Sequence, residues 1–539
     1  MSRVSINSNK HNFDEPKYDD HNFDVLNCPQ TQAALGNFGQ GQTPPEFILA
    51  LAEVKEAALR ALQDTEHPWP EPVFDAVCQV LADIRAGKLD HRFPLNLAQG
   101  GAGTSLHMNI CEVLADEVAW RLGRRDLFHF LDDGARSQST NDVVSTAAII
   151  VIFRRLQKLE TAVIALQEAL VEREQAWRGI SVMGRTEWQD ALPMDLSQVA
   201  SAWAGSAERD RWRLGKLKER IRTIPLGGTA TGTGLGANPA YLFAAEQYLR
   251  RLTALPLQRS QNLTDAVSQR DDFAEVANGF ALVGANLVKL CRDLMFYTST
   301  VVEELEHPAV QYGSTAMPVK TNPVLLEFAM GLAIRSQHQA AAVVRFTQEG
   351  FLQLNAFTPF MVDAFIAAGT DLEQALSTLS RNLLPNLEVH PDRCLKNMLQ
   401  SRALLNLLRK DLPYETLKSL AGFWAPERLS ASAAPGQTPT NATHGPTTAS
   451  AVQDLFASPL GRDRSSPSAA PERSSTPGGQ NLDSDHLLSR SEMEAQIRFY
   501  IDELSRRTGL DTELLRQRFG GLFDFMPSRE EASQSDTRT

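Results

Sequence analysis

Between about residue 45 and residue 425, apolar side chains recur every three or four positions, and runs alternating every second residue are few. That is the spacing of one helix face, because an α-helix turns once in 3.6 residues. In LQKLETAVIALQEALVERE the stripe is Leu156, Leu159, Val163, Leu166 and Leu170. Two later segments, GFALVGANLVKLCRDLMFY from Gly279 and LLEFAMGLAIRSQHQAAAVVRF from Leu325, are apolar around most of their circumference. Helices of that kind must be covered on several sides, as in a bundle or an oligomer core. The expected fold class is all-α.

The chain has 539 residues, enough for two to four domains, and is 42% hydrophobic, so most of it should fold. Its formal net charge of -12 argues against a protein held by bulk electrostatics on nucleic acid or an anionic membrane. A small anion is not excluded, since a few cations and helix N-termini can bind one. The five cysteines, Cys28, Cys78, Cys111, Cys291 and Cys394, are scattered and form no CxxC pair. Neither a zinc ribbon nor a disulfide framework is suggested, and a reducing cytoplasm is the expected compartment. The opening MSRVSINSNKHNFDEPKYDD lacks the apolar core of a signal peptide. No run of about 18 uncharged apolar residues occurs, so no membrane span is expected.

Residues 1–30 are polar, carry HNFD twice, and are expected to form a disordered tail. From 427 to 485 the sequence turns to Pro, Ser, Thr, Ala and Gly, a composition that cannot offset its ordering entropy and so predicts a linker. Helix resumes beyond it. Ser491 and Glu494 have capping-box spacing, Ile497, Tyr500, Ile501 and Leu504 share a face, and Gly509 stands where a C-cap belongs. A short second helix follows Asp511. The expected division is an N-terminal helical domain at 31–142, a central helical bundle at 143–385 and the first part of a C-terminal helical domain at 386–426. After the linker come a helical hairpin at 486–525 and a disordered tail at 526–539.

The densest cluster of chemically distinctive residues is GSTAMPVKTNP, Gly313 to Pro323. It places a glycine, two hydroxyls, a lysine and an asparagine just before a helix, a combination suited to an anion. Taken alone, it is equally a polar loop leading into a buried helix. The segment resembles the signature of the aspartase/fumarase superfamily, G-S-S-x-x-M-P-x-K-x-N-P, with Thr315 in place of the second serine. Three more blocks are similar to that family's and follow in its order. QGGAGTSLHMNICEVLA places Thr104 and Asn109, RSQSTNDVVSTAA places Ser139, Thr140, Asn141 and Asp142, and MGRTEWQDALPMDLSQ places Thr186, Gln189 and Asp190. IPLGGTATGTGLG from Ile224 also fits, and it lacks the G-K-[ST] ending of a phosphate-binding loop.

The resemblance implies a three-part lyase fold whose central long-helix bundle forms the core of a homotetramer, with a flexible insertion near the C-terminus. It implies a small dicarboxylate substrate, active sites shared between subunits, and no metal or organic cofactor. In the family, a proton leaves the carbon next to a carboxylate, charge collects in an aci-carboxylate, and the β-substituent departs. Ser314 matches the general base, a role that needs nearby positive charge and N–H donors. Lys320 and Asn322 match the positions that contact the aci-carboxylate, and Gly313 fits a hinge of the closing loop. Thr104, Ser139, Thr140, Asn141 and Thr186 match donors to the second carboxylate and the leaving group. Glu187, in a position where the family carries histidine or glutamine, is a catalytic candidate that biases the site towards an ammonium leaving group.

SQSTND, and NPV followed by Glu327, are similar to aspartases, which implies removal of ammonia from L-aspartate to give fumarate. Fumarate hydratase, or a lyase for a related amino or hydroxy dicarboxylate, is the alternative. Two departures stand out: TVVEELEHPAVQY lacks the family's GPR-containing stretch, and the 427–485 segment interrupts the C-terminal domain. They leave room for a catalytically silent oligomer of the same fold.

Overall fold

The computed structural model describes residues 28–421 and 490–520. The expected tail before residue 28, the linker at 427–485 and the tail at 526–539 lie outside the described residues. The chain divides into two compact units, one running to Ala176 and including Ser197–Glu388, the other combining Trp177–Leu196 with Val389 onward.

The first unit begins with α1 (Pro29–Phe38), α2 (Pro45–Glu66), α3 (Glu71–Arg85), α4 (Thr104–Leu122) and α5 (Thr140–Ala176). After the β1–β2 excursion into the second unit it continues with α6 (Leu196–Arg220), α7 (Pro239–Thr253), α8 (Leu263–Ser268) and α9 (Asp271–Tyr297). The helices α10 (Val324–Thr347) and α11 (Thr358–Ser377) follow. With 37 residues, α5 spans about 55 Å. Up to Phe153 it is buried nearly all round. Beyond that, burial falls mainly on the stripe anticipated from the spacing: Leu156, Leu159, Val163, Leu166 and Leu170 are each at most 3% exposed, with Arg155 and Ala169 also buried at 8%. The packing runs from α5 to α11, α11 to α10 and α10 to α9. Phe365 of α11 meets Phe273 and Phe280 of α9 edge-on. Among the described helices only α9 is long and apolar enough to cross a membrane, but half of that window is buried. It also carries Lys289, Arg292 and Asp293, as a core helix does.

Several charges buried in this unit are paired, which offsets the cost of desolvation. Arg154 forks onto Glu53 at 2.7 and 2.8 Å, and Glu56 holds both Arg60 and Arg85. The carboxylate of Glu112 accepts from Gln30 N, Thr31 N and Thr31 Oγ1, satisfying donors left open at the start of α1.

The second unit contains the antiparallel hairpin β1 (Ser181–Thr186) and β2 (Gln189–Asp195). Its helices are α12 (Pro391–Gln400), α13 (Tyr414–Ala421), α14 (Arg490–Thr508) and α15 (Thr512–Gly520). One core joins Met183 of the hairpin to Leu395, Met398, Leu408 and Leu417, and to Ile501, Leu504, Leu515 and Phe519. Residues 490–520 thus complete a core that 389–421 begins, and Arg518 forks onto Asp411 at 3.0 Å. Gly509 ends α14 at φ 70°, its N–H bonded to Ser505 O, as its place in the sequence predicts.

Candidate active site

The residues singled out from the sequence fall into three clusters. The first surrounds the start of α5. Ser139 Oγ accepts from Asn141 N at 3.3 Å, and the Asp142 carboxylate accepts from Ser139 N at 2.9 Å, a reciprocal capping arrangement. Asp142 is fully buried, and its other oxygen accepts from Gly227 N at 3.1 Å and Thr229 N at 3.0 Å. Asn141 Nδ2 donates to Ala230 O at 2.7 Å. The glycine-rich stretch is therefore the strap that holds the α5 turn. Burial raises the Asp142 pKa to about 6, against the N–H bonds from Ser139, Thr229, Gly227 and Val143 that lower it. Thr140 Oγ1 lies 3.1 Å from His107 Nδ1, on α4, and Thr104 sits one helix turn before His107 with its hydroxyl on Gly101 O. Asn109, by contrast, points inward and donates to Arg92 O.

The second cluster is the loop leading into α10. Ser314 Oγ accepts from Ala316 N at 3.2 Å and Met317 N at 3.1 Å. Asn322 Nδ2 donates to Gly313 O at 2.7 Å, drawing the two ends of the loop together. Gly313 has no left-handed φ; its lack of a side chain serves a close approach, since a Cβ there would stand 2.0 Å from Lys320 O. Thr315 to Lys320 are exposed, and Tyr312 and Val319 show 98% and 96% of their surface. Among the described residues, no hydrogen bond joins this loop to the α5 turn.

The third cluster belongs to the second unit. Thr186 pairs with Gln189 across a two-residue turn in which Glu187 and Trp188 have φ values of 52° and 66°. Positive φ at both central residues is the mark of a type I′ turn, which normally takes Asn and Gly. Left-handed backbone at two non-glycine residues costs about 1 kcal/mol or more each, strain of a kind found at functional sites. Arg185 pairs with Asp190 at 3.1 Å, and Glu187 forms no ion pair among the described residues.

Lys55 and His107 adjoin these clusters without having been singled out from the sequence, and Asp142 was placed among the motif residues without a role. The Ser139-to-Asp142 spacing is that of a capping box, and Thr104 and His107 share a helix face, so both were readable. Lys55, inside an apolar helix, gave no signal.

A model of the lyase family matches residues 28–337. The chain is 31% identical over 397 residues to the class II fumarate hydratase of Thermus aquaticus, covering 72% of this chain and 85% of that protein. It is 30% identical over 383 residues to the aspartate ammonia-lyase of Bacillus subtilis, covering 70% and 80%. A solved structure of a fumarate lyase:delta crystallin from Brucella melitensis superposes with a TM-score of 0.73 at 27% identity, covering 92% of this chain and 95% of that one. Helical fold, ordered motifs and these relatives agree: the chain belongs to the aspartase/fumarase superfamily of lyases.

Proposed function

We propose that the chain removes ammonia from L-aspartate to give fumarate, with Ser314 as the base. The observation that carries this is the pair of backbone N–H groups, from Ala316 and Met317, donated to Ser314 Oγ. Two donors aimed at that oxygen favour the alkoxide over the hydroxyl, and the Lys320 ammonium on the same loop adds positive charge. The alkoxide takes the proton next to a substrate carboxylate. The electron pair moves into that carboxylate as a dianionic aci form, held by Lys320, Asn322 and the N-terminus of α10. It then returns to form the double bond as the C–N bond breaks and ammonia leaves.

Thr104, Ser139, Thr140 and Asn141 supply neutral donors to the second carboxylate at the N-terminus of α5, while Thr186 and Glu187 meet the amino group. The hydrogen bonds of the serine loop and the α5 turn are separate within one chain, and Tyr312 and Val319 stand bare. Both features support a homotetramer in which subunits complete one another's sites. Five cysteines with no disulfide among the described residues fit a cytoplasmic enzyme.

A fumarate hydratase is the second reading, favoured by the near-equal identities to relatives of both names. Incubating the purified protein with fumarate plus ammonium, and with fumarate alone, separates them. Aspartate formed only in the first mixture supports the proposal, and malate in the second supports the hydratase. Neither product in either mixture would overturn both.

A further inference from the structure

Behind the α5 turn lies a buried chain of polar atoms that the mechanism above does not use. Lys55, in the middle of α2, has no exposed surface. Its Nζ lies 2.5 Å from His107 Nε2, 2.8 Å from Gly134 O and 3.0 Å from Gln138 Oε1. An ammonium has three N–H donors and no acceptor, and here three acceptors surround it. Burial lowers the Lys55 pKa, an effect that Cys111 and Asp142 nearby only partly offset. The reverse polarity requires a neutral lysine accepting from an imidazole, although lysine is ordinarily about four pKa units the more basic of the two.

With Lys55 donating to Nε2, the ring hydrogen of His107 must sit on Nδ1. Burial and the neighbouring Lys55 hold the His107 pKa well below its ordinary value, which keeps the ring neutral, and the three acceptors around Lys55 Nζ select this tautomer. Its Nδ1–H then points at Thr140 Oγ1, 3.1 Å away. The threonine oxygen accepts that bond, which leaves its own O–H hydrogen for another partner. Among the described residues none takes it. The hydroxyl sits in the first turn of α5, half-buried, beside Ser139 and Asn141.

We propose that Lys55 and His107 are positioning residues that fix Thr140 as a hydrogen-bond donor to a carboxylate oxygen of the substrate. This rests on the reading that Thr140 touches the dicarboxylate. An unsupported threonine rotor spends its hydrogen on whichever acceptor is nearest, including its own helix backbone. The buried relay removes that choice before substrate arrives, which is the economy of preorganisation.

A double-mutant cycle on the full chain tests the relay, scored by kcat/KM, kcat and KM separately. Thr140→Val alone should lose about tenfold in kcat/KM, the cost of one hydrogen bond to a charged group; no loss would refute the reading of Thr140 itself. His107→Phe should lose about as much in the wild-type background and less than about twofold on top of Thr140→Val. If His107→Phe costs the same in both backgrounds, it acts on the fold at large and the relay is overturned. Should that variant not fold, Lys55→Met replaces it in the same cycle. Lys55→Met leaves the ring free to choose its tautomer and should again matter only when the Thr140 hydroxyl is present. Equal losses in both backgrounds overturn the relay here as well. A His107→Gln variant, which keeps a donor and an acceptor, should recover most of the activity that His107→Phe loses; no recovery counts against a hydrogen-bonding role.

Discussion

The turn at Ser139–Asp142 and the loop at Gly313–Pro323 both precede long helices, yet they are held in opposite ways. The turn is tied to three other segments: Asp142 and Asn141 to the glycine-rich stretch, and Thr140 through His107 to Lys55. The hydrogen bonds of the serine loop run within itself, from Ala316 and Met317 to Ser314, from Lys320 to Met317 and from Asn322 to Gly313. Its side chains from Thr315 to Lys320 face solvent. A fixed array of donors suits recognition of a carboxylate that is the same before and after reaction. A loop stabilised only internally can close on the substrate and open again without breaking ties elsewhere.

If the fixed half depends on its ties, loosening them should be the larger insult. Asp142→Asn keeps the volume but leaves one acceptor oxygen for several buried N–H groups. It should misalign the turn by ~2 kcal/mol, about thirtyfold in kcat/KM. The same carboxyl predicts a pH effect. Its folded pKa, about 6, lies above that of a free aspartate, so the folded protein takes up a proton there first. Ionised Asp142 therefore costs stability at neutral pH, and that cost is relieved as pH falls through about 6. The protonated form accepts fewer N–H bonds, so wild-type activity should fall over the same window, whereas the Asp142→Asn variant should lack this limb. An unchanged acid limb in the variant would assign it to another group.

A smaller effect is expected at the hairpin tip. Glu187→Gln keeps the strained turn and removes the charge, and it should lower kcat/KM on aspartate by about tenfold. The loss on malate should be smaller, because a hydroxyl offers only a neutral partner. Equal losses on the two substrates would reduce Glu187 to holding the turn. The smallest effect should follow deletion of 430–482. The core shared by 389–421 and 490–520 should change in stability by no more than about 1 kcal/mol, since closure entropy varies slowly with loop length. A denaturation midpoint well outside that range would mean that the segment packs.

Much of the helical architecture was legible because every residue of the apolar stripe on the second half of α5 is buried. The loop that carries Ser314, Lys320 and Asn322 was legible as a unit because these residues lie close together in the sequence, and it does contain its own hydrogen bonds. The relay was not legible. Lys55, His107 and Thr140 sit on α2, α4 and α5, and only packing brings their polar atoms together. The hairpin was also hidden, since Glu187 and Trp188 occupy positions that turn chemistry assigns to Asn and Gly.

The division between a fixed recognition half and a reactive loop is tested most directly by Ser314→Ala. Turnover and binding would be measured on the same protein, the second by titrating the dicarboxylate into the inactive variant. The account predicts a rate below about a tenth of wild type, a barrier rise above ~1.4 kcal/mol, with binding retained and assembly unchanged. A variant that keeps more than a tenth of the rate would remove Ser314 from the role of base.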